Sequence, residues 1–157
     1  MKYLKLFEQF EEGHKFDLLD LFTISPNEVK ELFFKELNKR NPDIGNIQVF
    51  LDSGLVGVHT KGQWGRTPLY WAARNNHLEL AKVLISSGAE VNAEDDGGWT
   101  PLYSAAAENS LATAQYLISS GADLEAKDND GYTPLHRAVR NGHQEMQELL
   151  ISHGGVQ

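Results

Sequence analysis

Thr100-Pro101-Leu102-Tyr103 stands near the middle of the third quarter of this chain, and the phrase is written again on either side of it, as Thr67-Pro68-Leu69-Tyr70 and Thr133-Pro134-Leu135-His136. Both intervals are 33 residues (100 − 67 and 133 − 100). A second phrase keeps the same register: Leu84-Ile85-Ser86-Ser87-Gly88-Ala89, Leu117-Ile118-Ser119-Ser120-Gly121-Ala122 and Leu150-Ile151-Ser152-His153-Gly154. Two phrases locked to one period mark a stack of like units, none of which can bury its apolar side alone.

Each unit reads the same way. Thr67, Thr100 and Thr133 are N-cap candidates, and Pro68, Pro101 and Pro134 fit the first helical position, where a missing N–H costs nothing. Ala72-Ala73 and Ala105-Ala106 let neighbouring helices approach closely, and the third unit departs with Ala138-Val139. Asn76, Asn109 and Gly142 fall at a turn between helices, where a left-handed residue is needed. Gly88, Gly121 and Gly154 end the second helix of each unit. The Asp-, Asn- and Gly-rich stretches 93–98 and 126–131 suit β-turn loops.

These residues resemble the ankyrin repeat, with its Thr-Pro-Leu-His phrase, paired alanines and Leu-Leu followed by Gly-Ala, over roughly residues 60–157. The resemblance implies an all-α solenoid of stacked helix-turn-helix units joined by β-turn or hairpin loops. Three repeats are expected, at 64–97, 98–130 and 131–157. In the last, Gln144 and Gln147 replace the Leu78/Ala81 and Leu111/Ala114 of its predecessors, so it is expected to cap a complete array.

Upstream, Ser25-Pro26-Asn27-Glu28 spells a capping box with proline at the first helical position. Val29, Leu32, Phe33 and Leu37 supply a buried stripe, and Asn41 before Pro42 is expected to end the helix. A second helix is expected from about Asp43 to Ser53, with Ile44, Ile47, Phe50 and Leu51 inward and Gly54 as its stop. Phe50-Leu51-Asp52-Ser53-Gly54 matches the Leu84 phrase, so residues 25–63 resemble a degenerate capping repeat that lacks Thr-Pro-Leu. Residues 1–24 form a helical extension in this reading, with Tyr3, Leu6, Phe7 and Phe10 on one face and Leu18, Leu19, Leu21 and Phe22 as an apolar cluster. That cluster either packs on the first repeat or serves as an interaction helix.

Composition narrows the partners. Against 22 Asp plus Glu stand 14 Lys plus Arg, a formal charge of −8 over 157 residues, which disfavours nucleic acid and anionic membranes. The acidity is concentrated on residues 98–130, with five acids and only Lys127 basic, whereas residues 131–157 balance two acids with Arg137 and Arg140. With no cysteine there is no disulfide, thiolate metal site or cysteine nucleophile. No apolar run resembles a secretory signal or a membrane span, so a cytoplasmic protein is expected.

Catalytic and metal readings find little. His136 serves its own turn more readily than a reaction, no His-Glu-x-x-His occurs, and Asp128-Asn129-Asp130-Gly131 lacks the first and twelfth ligands of a calcium loop. No phosphate-binding or nucleophile-elbow motif is present, and neither a cofactor nor an enzymatic activity is expected. A small metal-dependent enzyme built from His and Asp is the reading from another class.

What does vary between units is Arg66/Trp99/Tyr132, Arg74/Ala107/Arg140 and Asn75/Glu108/Asn141. By resemblance, hairpin and inner-helix positions such as these contact partners in ankyrin proteins. The chain is thus read as a protein-protein interaction module, monomeric when free, either an adaptor or an inhibitor or immunity-type protein that neutralises an enzyme or toxin. The expected contact residues are Trp64, Arg66, Arg74, Trp99, Tyr132 and Arg140, the types that dominate interface hot spots. Glu94, Asp96, Glu108 and Asp130 beside them call for a partner with basic groups around an apolar centre. In this reading Trp64 and Trp99 are exposed and without a folding role; packing on an adjacent loop is the alternative.

Overall fold

The computed structural model describes residues 24–156. Among them are eight α-helices and no strand: α1 Pro26–Leu37, α2 Ile44–Asp52, α3 Pro68–Arg74, α4 Leu78–Ser86, α5 Pro101–Glu108, α6 Leu111–Ser119, α7 Pro134–Asn141 and α8 Gln144–Ser152. They fall into two compact units divided between Thr60 and Lys61. The expected N-terminal helix with Tyr3, Leu6, Phe7 and Phe10, and the cluster from Leu18 to Phe22, lie outside the described residues.

The first unit is set by local capping. Ser25 accepts from the Glu28 amide at 3.4 Å while the Glu28 carboxylate accepts from the Ser25 amide at 2.8 Å, closing the capping box. Hydrogen bonds from the Ser25 hydroxyl, and then its amide, hold the Glu28 carboxyl below the ordinary range. Val29, Leu32, Phe33 and Leu37 are fully buried, and the Phe33 ring meets that of Phe50 on α2 with centroids 5.6 Å apart.

Two expectations fail here. α1 stops at Leu37, short of Asn41, because the buried Glu36 carboxylate turns the chain: it accepts from Lys39 Nζ at 2.8 Å and from the Asp43 amide at 2.7 Å. Asp43 in turn caps α2 by accepting from the Asn46 amide at 3.1 Å. On α2 the buried residues are Asn46, Ile47 and Phe50, whereas Ile44 and Leu51 are half-buried. A helix this short turns only one narrow face inward.

In the second unit the helices pair as α3/α4, α5/α6 and α7/α8, with α5 packed between α3 and α7 as an inner layer and α4, α6 and α8 outside. Thr67, Thr100 and Thr133 each cap their helix, accepting from the amides of Tyr70, Tyr103 and His136 at 3.3, 3.2 and 3.4 Å. His136 Nδ1 lies 2.8 Å from the Thr133 hydroxyl, which confirms its structural part in that turn. Ala72, Ala73, Ala105, Ala106 and Ala138 are wholly buried where the inner helices meet. Asn76, Asn109 and Gly142 all have positive φ, at 57°, 58° and 73°, as the turn requires.

Cross-repeat hydrogen bonds give this unit its register. Asn76 Oδ1 accepts from both the amide and the hydroxyl of Thr113, at 3.1 and 3.2 Å, and Ser110 Oγ donates to the Arg74 carbonyl at 3.0 Å. The loops are knit the same way: the Asp96 amide donates to the Trp64 carbonyl, and the Asn129 amide to the Gly97 carbonyl, both at 2.9 Å. Gly98 is needed there twice over, since its φ is 78° and a Cβ would stand 3.0 Å from the Asn129 amide.

Candidate interaction face

Three loops lead into the inner helices, each closed by a backbone bond across four residues: Gly62 to Arg66, Asp95 to Trp99 and Asp128 to Tyr132, at 2.8, 3.1 and 2.9 Å. In two of them the same side chain is the organiser. Asp95 Oδ1 accepts from the amides of Gly97 and Trp99 at 2.8 and 2.9 Å; Asp128 Oδ1, 33 residues on, accepts from those of Asp130 and Tyr132 at 3.0 and 2.8 Å. A carboxylate that accepts two amides fixes the loop and so fixes where the next side chain points.

At the first junction Asp95 Oδ2 takes the Arg66 Nε at 3.4 Å, and the Arg66 guanidinium lies 4.7 Å from the Tyr70 ring centroid and 5.6 Å from that of Trp71. Arg74 also lies 5.6 Å from the Trp71 ring centroid and pairs with Glu108 at 3.3 Å. These two arginines are therefore engaged within the chain.

At the second junction Asp128 Oδ2 accepts from the Tyr103 hydroxyl at 2.5 Å. Burial, and then this bond, push the Tyr103 phenol up to about 12, with nearby Arg137 working the other way. Burial alone would raise the Asp128 carboxyl. The hydrogen bonds from Tyr103, Tyr132 and Asp130, with the Arg137 charge, more than offset it and hold the group below the ordinary carboxylate range. The Trp99 ring packs against that of Tyr103 at 4.8 Å and lies under the Arg137 guanidinium at 4.6 Å.

Trp99 therefore does not stand exposed and without a folding role, as the sequence reading has it. It is half-buried between Tyr103 and Arg137, because the loop fixed by Asp95 aims it toward the next repeat. Trp64, by contrast, is 67% exposed and Tyr132 46% exposed, and Arg140 is exposed on α7. Of the six expected contact residues, then, three project freely and three are built into the two junctions.

Beside Tyr132 a groove of about 300 Å³ opens, lined by Tyr103, Asp128, Asp130, His136, Arg137 and Arg140. Tyr103, Asp128 and Arg137 are not among the contact residues expected from the sequence, where Asp128 figures only in the rejected calcium loop. The available signal was the 33-residue spacing of Asp95 and Asp128, the same residue at the same place in two loops otherwise read as generic turns, where the first loop has Gly62. Among the described residues no cluster of His, Asp and Glu is arranged to hold a metal ion, and no helix is long and apolar enough to cross a membrane.

The model for ankyrin repeats matches the chain in three copies, over residues 29–128 and 95–157. Among curated proteins, "Ankyrin repeat, SAM and basic leucine zipper domain-containing protein 1" of Saimiri boliviensis boliviensis is 39% identical over 69 residues, 44% of this chain and 14% of that protein. "Palmitoyltransferase AKR1" of Naumovozyma castellii is 40% identical over 52 residues, 33% of this chain and 7% of that protein. The chain thus aligns with only a small part of each relative's length.

Proposed function

The chain belongs to the ankyrin-repeat family, whose repeats are typically protein-binding modules, and from that premise we propose that it binds a partner protein through the loop tips and inner helices of residues 61–157. It acts by binding, without catalysis of its own. The observation that carries this reading is the contrast within one face: Trp64 and Tyr132 project from loops held rigid by backbone and Asp hydrogen bonds. Large aromatics on a preorganised support lose little freedom on binding and are typical anchors.

Glu94, Asp96 and Asp130 are exposed on the same loops, whereas Glu108 is partly neutralised by Arg74. At the loop tips the partner accordingly carries basic groups around an apolar centre, and association is faster at low salt.

Photo-crosslinking in its own cells tests this. A crosslinker at position 64 or 132 should trap one protein that a crosslinker at Glu79 or Gln115, both exposed on the outer helices, does not. Trapping the same protein from the outer helices, or none from the tips, overturns the reading.

A further inference from the structure

The arginines of the two junctions differ in what holds them. Arg66 is in an ion pair with Asp95, on the loop that leads into the next repeat, and Arg74 with Glu108 of that next repeat. Arg137 and Arg140 lie one turn apart on α7, both line the groove beside Tyr132, and neither is in an ion pair among the described residues. The Arg137 Nε is moreover buried with no hydrogen-bond acceptor.

Asp128, on the wall of the same groove, is not free to close on them. Its Oδ1 is held by two amides and its Oδ2 by the Tyr103 hydroxyl. Asp130 also lines the groove but is exposed to solvent, and His136 is occupied with the Thr133 cap. The groove therefore presents two guanidinium groups: Arg140, exposed and in no ion pair among the described residues, and Arg137, stacked against Trp99 at 4.6 Å with its charge already felt by Tyr103 and Asp128. A guanidinium fixed by stacking offers its fork to a carboxylate at little further cost in side-chain freedom. At about 300 Å³ the space is at the low end of ligand pockets and suits a side chain or two, not a folded element.

We propose that this groove takes a glutamate or aspartate from an extended acidic segment of the partner protein, its carboxylate bound by Arg137 and Arg140 and a neighbouring apolar side chain lying on Tyr132. The inference rests on the protein-binding reading and deepens it: the partner is basic toward the loop tips and acidic toward α7. A phosphate backbone offers the same anionic chemistry, but the net charge of −8 repels a long polyanion more strongly than a short acidic segment.

The test is an NMR titration of the isotope-labelled full chain with the blocked peptide Glu-Glu-Leu-Glu-Glu and its Gln-Gln-Leu-Gln-Gln counterpart. The acidic peptide alone should shift the Arg137 Nε–H, the Trp99 indole N–H and the Tyr132 amide. Arg140→Gln, at an exposed and unpaired position, should weaken that binding by roughly fivefold or more, whereas Lys127→Gln, exposed and outside the groove, should change it by less than about twofold. No shift at these groups, equal shifts with the glutamine peptide, or equal loss from Lys127→Gln overturns the proposal. So does a short single-stranded DNA that shifts the same signals more strongly than the peptide. These outcomes are independent of the crosslinking result, so the groove assignment can fail while the interaction face stands.

Discussion

The two junctions of the repeat stack use the same chemical parts in exchanged positions. At the first, the guanidinium sits on the hairpin (Arg66) and the aromatics on the helix of the same repeat (Tyr70 and Trp71). At the second, the indole sits on the hairpin (Trp99, 33 residues after Arg66) and the guanidinium comes from the next repeat's inner helix (Arg137). Each junction then closes on the homologous carboxylate, through Arg66 to Asp95 at 3.4 Å or Tyr103 to Asp128 at 2.5 Å. What a junction requires is the set of aromatic, guanidinium and carboxylate in contact. Which column supplies each member is free to change, and the exchange at the second junction leaves its arginine without a carboxylate of its own.

The carboxylates give the largest effect by which the comparison can be broken. Asp128→Ala leaves the Tyr103 hydroxyl and two amides without their acceptor, and should cost about 2–3 kcal/mol in urea denaturation. Asp95→Ala should cost about 1–2 kcal/mol, because its third contact is long and made by the partly exposed Arg66. Equal losses would mean the two junctions are not distinguished by their third contact. pH sharpens the point. The folded Asp128 carboxyl is depressed below an unfolded value near about 3.9, so its stabilisation is complete above that pH and is lost as pH falls through the folded value. Asp128→Asn should flatten that part of the acid limb. For Tyr103 the sign is opposite: raised to about 12, it stabilises fully below the unfolded phenol value and loses that contribution as pH rises toward 12.

Next in size is the indole. Trp99→Ala removes the contacts with Tyr103 and Arg137 and should cost about 2 kcal/mol, whereas Trp64→Ala, at a site 67% exposed, should stay within about 0.5 kcal/mol. A Trp99→Ala chain that melts like the parent would show the second junction does not depend on the stack. Trp64 and Tyr132, not Trp99, are thus the positions at which lost affinity can be separated from lost stability.

The smallest effect belongs to the first junction's outer pair. Arg74 and Glu108 are 38% and 47% exposed at 3.3 Å, so Arg74→Gln should lower stability by less than about 1 kcal/mol. Melting curves of parent and variant should converge in about 1 M salt, where exposed charges are screened. A difference that persists in high salt would place the pair's contribution in Arg74's packing on Trp71 instead.

How much of this was legible follows from the range of each interaction. The Thr-Pro starts, the Asn and Gly turns and the Ser25–Glu28 box are satisfied within about four residues, so the type and order of residues determine them. The stop of α1 was missed because it depends on Glu36 reaching Asp43, a buried carboxylate that periodicity alone reads as a solvated charge. Trp99 is read as exposed for a related reason. Its position varies between repeats, but variation implies exposure only where no neighbour takes up the side chain, and Trp99 has Arg137, as Arg66 has Asp95 and Arg74 has Glu108.

By itself, then, the sequence determined the repeat, its 33-residue period, the caps and the turns, because these are local or recur at fixed spacing. Only the tertiary structure decided which side chains remain available. Partners at the second junction lie 25 residues apart for Tyr103 and Asp128 (128 − 103) and 38 apart for Trp99 and Arg137 (137 − 99). At such separations the pairing is set by how far each side chain reaches across the packed inner helices, and no spacing along the chain encodes that reach.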